Sequence, residues 1–345
     1  MSNMSRRFAT LAAVGAALLF LGLGQAIAAE KVQFALDWIP IGKHAGFTAA
    51  LDQGYFKESG LDVTFIRGHG SGRTVKDVAS GVAPIGFADI AAQIIYAGRN
   101  PGRPLLSLAV IHDKSMYVIF SLKGTGIRKP KDLEGHSIAA TPGDGSRVIF
   151  PALAAINDVD ESKIKWVDMA PGASIPSLFK GNVDGIGLYN ASYPILARGA
   201  AKQGKRISTL LYSDFGVDVY SNGVFAPHSV VKKREDMVRK VVQGIIKGHH
   251  WAVENPKEAI DAFLKQYPQS NRGIAIDMWE MAMDHLLTPT AAKQGIGYQD
   301  AKKMRYTRDV LVKYFKLPYK PDLDAIYTNK YTPKIFAKRK TNVQY

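Results

Sequence analysis

A chain of 345 residues, 46% hydrophobic and 22% charged, has room for about two ordinary domains and the composition of a globular protein. The lack of any cysteine excludes a disulfide framework, thiolate metal sites, iron–sulfur clusters, a cysteine nucleophile and a lipid-anchored N-terminal Cys. A net charge of +15 keeps nucleic acid, anionic membranes and anionic solutes among the partners to weigh.

Arg6 and Arg7 precede an uncharged apolar run from Phe8 to about Leu23, and Ala26-Ile27-Ala28 then supplies the small-x-small pattern read by signal peptidase. A transmembrane anchor is the alternative, but the run is short, Gly-rich and followed by a cleavage pattern. The expectation is a signal peptide over 1–28, cleaved after Ala28, and export to the periplasm. Ser5-Arg6-Arg7-Phe8 leaves the general and twin-arginine routes both open. From Ala29 onward no other apolar run reaches membrane length.

Val32 to Trp38 alternates as a strand, Ala45 to Phe56 has helical spacing, and Leu61 to Arg67 is a strand again. The alternation continues with helix Thr74 to Ser80, strand Ile85 to Ala88, helix Ile90 to Ala97, and strands near Leu105 to Ile111 and Met116 to Leu122. After a polar turn, Lys123 to Glu134, a second series follows: strand Ser137 to Ala140, helix Arg147 to Ile156, strand Ile164 to Val167, helix Ile175 to Phe179, strand Gly185 to Tyr189. Such alternation predicts an α/β protein of largely parallel sheets covered by helices. Beyond Val224 the chain reads as helices over Lys232 to Glu254, Lys257 to Gln266, Arg272 to Leu287 and Tyr298 to Phe315, divided by Pro256, Pro268 and Pro289.

The segments Val75 to Asp89 and Ile175 to Asn190 each read as a short helix, a Gly stop, and an Ile-Gly strand ending in a polar side chain. They are either two copies of one plan or chance likeness between βα units. As copies, they put Asp89 and Asn190 at equivalent strand ends, the edge of an α/β sheet where ligands bind. Two Gly-rich loops, Gly68-His69-Gly70-Ser71-Gly72-Arg73 and Thr141-Pro142-Gly143-Asp144-Gly145-Ser146-Arg147, each open a helix with a hydroxyl and an Arg at its mouth. Helix N-termini attract anions or polar oxygens. Arg73 and Arg147 either add a planar fork for an anion or point to solvent, as in ordinary βα turns.

Nicotinamide or flavin cofactors are not expected, because the first loop is spaced G-x-G-x-G and Asp89 ends the third strand, not the second. Neither G-x-S-x-G nor H-E-x-x-H occurs, the eight His are scattered, and no metal site is expected. Glu280 and Asp284 stand four apart as a solvated helix face. The basic clusters around Lys232, Arg239, Lys302 and Lys338 lack interleaved aromatics for stacking, which argues against nucleic acid. The richest segment is Asp37-Trp38-Ile39-Pro40-Ile41-Gly42-Lys43-His44-Ala45-Gly46-Phe47. Trp38 reads as a stacking platform for a planar ligand or as a core residue, and His44 as a ligand contact or a cap.

That segment, with Gly54 to Val63, Gly81 to Asp89 and Lys131-Asp132-Leu133-Glu134-Gly135, resembles the substrate-binding proteins of ABC importers in the nitrate, sulfonate, taurine and thiamine-pyrimidine-precursor family, most of all the last branch. The resemblance runs from Val32 to roughly Ala226. It implies a two-lobed type II periplasmic binding protein, each lobe a mixed, mostly parallel sheet flanked by helices, with a double-crossover hinge and a ligand cleft between the lobes. The expected lobes are 29–118 with 222–345, and 119–221. It places Trp38, His44, Ser71, Ala88, Asp89, Gly143, Asp144, Ser146 and Tyr189 at the cleft, to which Arg73, Arg147 and Asn190 are added from the loops and the repeat. Two departures bear on the ligand: position 41, usually Asn in the pyrimidine branch, is Ile41, and Arg73 and Arg147 suit an anion. The cysteine cluster of the related pyrimidine synthases is missing. The expected function is therefore a receptor, not an enzyme, that delivers a small heteroaromatic solute to an inner-membrane ABC permease, as a monomer without cofactor. Alternatives are a receptor for an organic anion (a sulfonate, taurine, nitrate or an aromatic carboxylate) and an exported enzyme of the same fold acting on a pyrimidine-like substrate.

Overall fold

The computed structural model describes residues 28–339. The expected signal peptide thus lies outside the described residues, save for Ala28. In the first series, strands β1 (Glu30–Ala35), β2 (Leu61–Ile66), β3 (Ile85–Asp89) and β4 (Leu105–Val110) alternate with helices α1 (Ala45–Asp52), α2 (Ser71–Ala79) and α3 (Ile90–Arg99). The second series has β5 (Tyr117–Leu122), β6 (Ser137–Ala140), α4 (Gly145–Ile156), β7 (Lys165–Asp168), α5 (Ser174–Phe179), β8 (Gly185–Tyr189), α6 (Tyr193–Ala201) and β9 (Ile207–Leu211). The chain then returns through β10 (Asn222–Pro227) to the first sheet and ends in α7 (Glu235–Glu254), α8 (Pro256–Gln266), α9 (Arg272–Leu286) and α10 (Ala301–Tyr314).

The two sheets have one plan. Their orders are β2-β1-β3-β10-β4 and β7-β6-β8-β5-β9. In each, the first three strands are parallel and the last two run antiparallel to their neighbours. The central strands β3 and β8 occupy the same place and are buried along their length, so the internal echo in the sequence corresponds to a repeated topology. The chain crosses between the sheets at 111–116 and again at 212–221, which makes the expected double connection.

Apolar strands give sheets covered on both faces. Phe34, Phe47, Phe87 and Trp279 fill the core between the first sheet and α1, α7 and α9, each worth about 1.5–3 kcal/mol on burial. Another core joins α3, α4 and α10, so α10 spans both lobes. Some elements differ from the sequence reading. The expected helix Ala45 to Phe56 breaks at Gly54, whose φ of 73° is left-handed. β1 ends at Ala35, leaving Trp38 in a loop, and the long helix after Lys232 restarts at Glu235 because Arg234 leaves helical geometry. Strands β9 and β10 and helix α6 lie outside the expected elements; Asn222, Gly223 and Pro227 dilute the strand signal of β10.

Candidate functional site

In the first lobe the loop after β1 turns through Gly42–His44 into α1 and folds its polar side chains inward. Asp37, Lys43 and His44 are each at most 2% exposed. The Lys43 ammonium donates to Asp37 Oδ2, and Asn222 Nδ2 donates to the same oxygen at 3.2 Å. Ile41 N–H donates to His44 Nδ1 at 3.1 Å, which places the ring proton on Nε2, and Nε2 donates to Asp37 Oδ1 at 2.9 Å. Burial alone would raise the Asp37 pKa, but the Lys43 charge and the His44 bond override it and hold the carboxyl well below its usual range. Burial lowers the His44 pKa, which keeps the ring neutral.

Asp89 ends β3 at the carboxyl edge of the first sheet, and side chains from the second lobe reach across to it. Tyr117 OH donates to Oδ1 at 2.9 Å and Tyr189 OH donates to Oδ2. Ser71 Oγ accepts from Asp89 N at 3.1 Å and lies 3.1 Å from the Tyr189 hydroxyl, so with Asp89 ionised the Ser71 proton points to Tyr189. Burial pushes the Asp89 carboxyl up to about 7; the tyrosine hydrogen bonds lower it only in part, and the nearby Asp37 charge adds to the rise. Asp144 is pushed up to about 6, again chiefly by burial.

The two Gly-rich loops meet each other. Gly72 N donates to Gly143 O at 2.9 Å, and a Cβ on Gly70 would lie 2.7 Å from that same oxygen. Both glycines also have positive φ, 114° at Gly70 and 87° at Gly143. The helix mouths are therefore filled from within: Gly143 carbonyl sits at the start of α2, and Asp144 caps α4 by accepting from Ser146 N at 2.8 Å.

Between these groups lies a cavity of about 20 Å³, lined by Asp37, Trp38, Ile41, Lys43, Gly70 and Ser71 from one lobe and Asp144, Gly145, Leu188, Tyr189 and Ser192 from the other. That is room for about one water. Of the residues singled out in the sequence, Trp38, Ser71, Asp144 and Tyr189 line it, with Asp89, Gly143, Ser146 and His44 packed directly behind. Trp38 crosses the cleft to pack against the Val118, Phe120 and Leu188 cluster of the second lobe. Ala88 is wholly buried within β3, and Asn190 follows β8 with its N–H on Met116 O. Arg73 is 65% exposed and pairs with Asp77, while Arg147 pairs with Asp168 and stacks on Trp166 at 5.0 Å; neither lines the cavity.

Residues not singled out include Lys43, Tyr117, Gly145, Leu188, Ser192, Ser221 and Asn222, with Asp37 named only as part of the rich segment. Lys43 stood in that segment too, but a loop Lys gives no sign of burial. Tyr117 and Asn222 open the two antiparallel strands, whose position beside β8 and β3 is a long-range fact. Elsewhere, Glu280 and Asp284 are bridged by Arg339, and the basic clusters are partly neutralised, Arg234 by Glu30, Arg239 and Lys240 by Asp236, and Lys303 by Asp113 and Asp218.

Comparison with known proteins supplies the family. A family model described as NMT1/THI5 like matches residues 41–259. The chain is 28% identical over 281 residues to the formylaminopyrimidine-binding protein of Halalkalibacterium halodurans, covering 80% of this chain and 82% of that one. It is 23% identical over 316 residues to a yeast 4-amino-5-hydroxymethyl-2-methylpyrimidine phosphate synthase of Saccharomyces cerevisiae, with 88% of each covered. Among solved structures it superposes on the periplasmic aliphatic sulphonate binding protein SsuA of Escherichia coli with a TM-score of 0.64, at 15% identity, covering 88% of this chain and 99% of that one. The fold is that of the periplasmic binding proteins.

Proposed function

Because the chain belongs to the NMT1/THI5-like family, we propose that it is an extracytoplasmic solute-binding receptor that captures a planar heteroaromatic solute between its lobes and hands it unchanged to an inner-membrane ABC permease. The observation that carries this reading is the cavity walled by both lobes, at the edges where the parallel strands of both sheets end. Its small size supports a closed form that must open to admit a solute, since ligand pockets run to several hundred Å³. The lobes follow the expected division, 29–118 with 222–345 and 119–221, except that the first boundary moves back to 116, because Tyr117 and Val118 already pair within β5 of the second sheet; the hinge is the two crossings. The receptor acts as a monomer in the periplasm. Among the described residues no helix is long and apolar enough to cross a membrane.

Two further readings have some support. The sulphonate-binding neighbour and the positive net charge favour an organic anion, but Arg73 and Arg147 are each paired with an acid away from the cavity. The synthase relative favours an enzyme, but both nitrogens of His44 are engaged and the ring does not border the cavity, so it has no free position for proton transfer to a solute.

Calorimetry with a formylaminopyrimidine and with an alkanesulphonate separates them. Trp38→Ala is expected to weaken heteroaromatic binding by about 1–3 kcal/mol through lost stacking, with Arg147→Gln near wild type. Sulphonate binding abolished by Arg147→Gln would favour the anion reading. Consumption of the solute would overturn the receptor.

A further inference from the structure

Lys43 is 1% exposed and reaches the cavity wall with an ammonium that carries three N–H donors. Among the described residues Asp37 is its one hydrogen-bond partner. Two aromatic faces also stand beside it, with the Tyr189 ring centroid at 4.8 Å and Phe87 at 5.6 Å. Ring faces attract the charge but accept no ordinary hydrogen bond. The rest of the loop offers nothing better: Ile41 lines the cavity with an apolar side chain, and His44 faces Asp37.

A buried ammonium with donors to spare at the rim of a ligand cleft is incomplete until something accepts from it. We infer that Lys43 is a specificity-determining residue that donates to an uncharged acceptor oxygen, of carbonyl type, on the bound solute. The uncharged acceptor follows from the local charges. Asp37 already balances Lys43 and the cavity lining holds no second cation, so an anionic group would stand beside Asp37 uncompensated, whereas a carbonyl oxygen completes the ammonium and adds no charge. This inference rests on the receptor reading and narrows its solute class.

The test compares three probes by calorimetry: a formylaminopyrimidine, the pyrimidine in which an alkyl chain of equal length replaces the formamide, and the one in which a carboxylate replaces it. Wild-type protein is expected to favour the formamide over the alkyl probe by about ten- to a hundredfold, the span of a hydrogen bond to a charged donor. In Lys43→Met/Asp37→Asn, which removes the donor and strands no charge, that ratio should fall to about one, and Lys43→Arg should retain it in part. A ratio unchanged in the double variant would overturn the role of Lys43 while leaving the receptor intact. A carboxylate probe bound more tightly than the formamide would overturn the uncharged class. If no probe binds the wild type, the heteroaromatic receptor reading fails and the inference falls with it.

Discussion

Replacing Gly145 with alanine is expected to stop the lobes from closing and to weaken solute binding at least about a hundredfold, ~2.7 kcal/mol. A Cβ there would lie 2.0 Å from Asp89 Oδ2 and 2.4 Å from the Tyr189 hydroxyl oxygen. Neither atom can easily give way, since the Asp89 carboxylate accepts from Tyr117 and Tyr189. Gly145 opens α4 without a positive φ, so alanine suits the helix itself, and the contact with Tyr189, in the same lobe, adds some loss of stability within that lobe. The clash with Asp89, which comes from the other lobe, should appear in the encounter between lobes. Small-angle scattering of the variant with saturating formylaminopyrimidine should keep the radius of the open form, with calorimetry reporting the affinity loss. Wild-type affinity together with full compaction would show that the lobes do not meet at this residue.

Asp37→Ala is expected to cost about 3–5 kcal/mol of folding stability, because it leaves the Lys43 ammonium buried and unpaired. His44 Nε2–H and Asn222 Nδ2 lose their acceptor as well. Melting should fall by about 2–4 °C for each kcal/mol lost. Asp37→Ala/Lys43→Met should recover most of the loss, since an apolar pair can replace a buried ion pair at little cost. The pH dependence has a definite sign. Asp37 is held below its ordinary range when folded, so its contribution is complete above the unfolded carboxylate pKa and is lost as pH falls through the folded one. The gap between wild type and Asp37→Ala should thus be constant from neutral pH down to about 5 and narrow only in stronger acid. Denaturant titrations across pH check both points; a single variant within about 1 kcal/mol of wild type would contradict the coupling.

Local pattern carried the strand–helix order through Tyr189, and with it the two lobes, because apolar strands and Gly stops announce themselves within a few residues. The repeat was visible for the same reason: Val75 to Asp89 and Ile175 to Asn190 end the matching central strands β3 and β8. What stayed hidden depends on distance along the chain. β10 returns beside β3 after a long excursion, and only then does Asn222 reach Asp37 and Ser221 reach Asp89. Charge was the poorest guide. Arg73 and Arg147 stand at helix mouths in the sequence, yet each finds an acid on its own surface, while Lys43, which looks like an ordinary loop lysine, is buried because Asp37 lies six residues before it. The clasp of Gly72 on Gly143 shows why two similar Gly-rich loops occur, one per lobe: each allows the other's backbone to approach.

The most direct test of a receptor that closes on a solute and releases it unchanged is native mass spectrometry of the protein with a formylaminopyrimidine. The expected result is a saturable complex of one solute per chain, from which the solute is recovered at its original mass after prolonged incubation. A solute converted to a new mass, or no complex at any concentration, would contradict it.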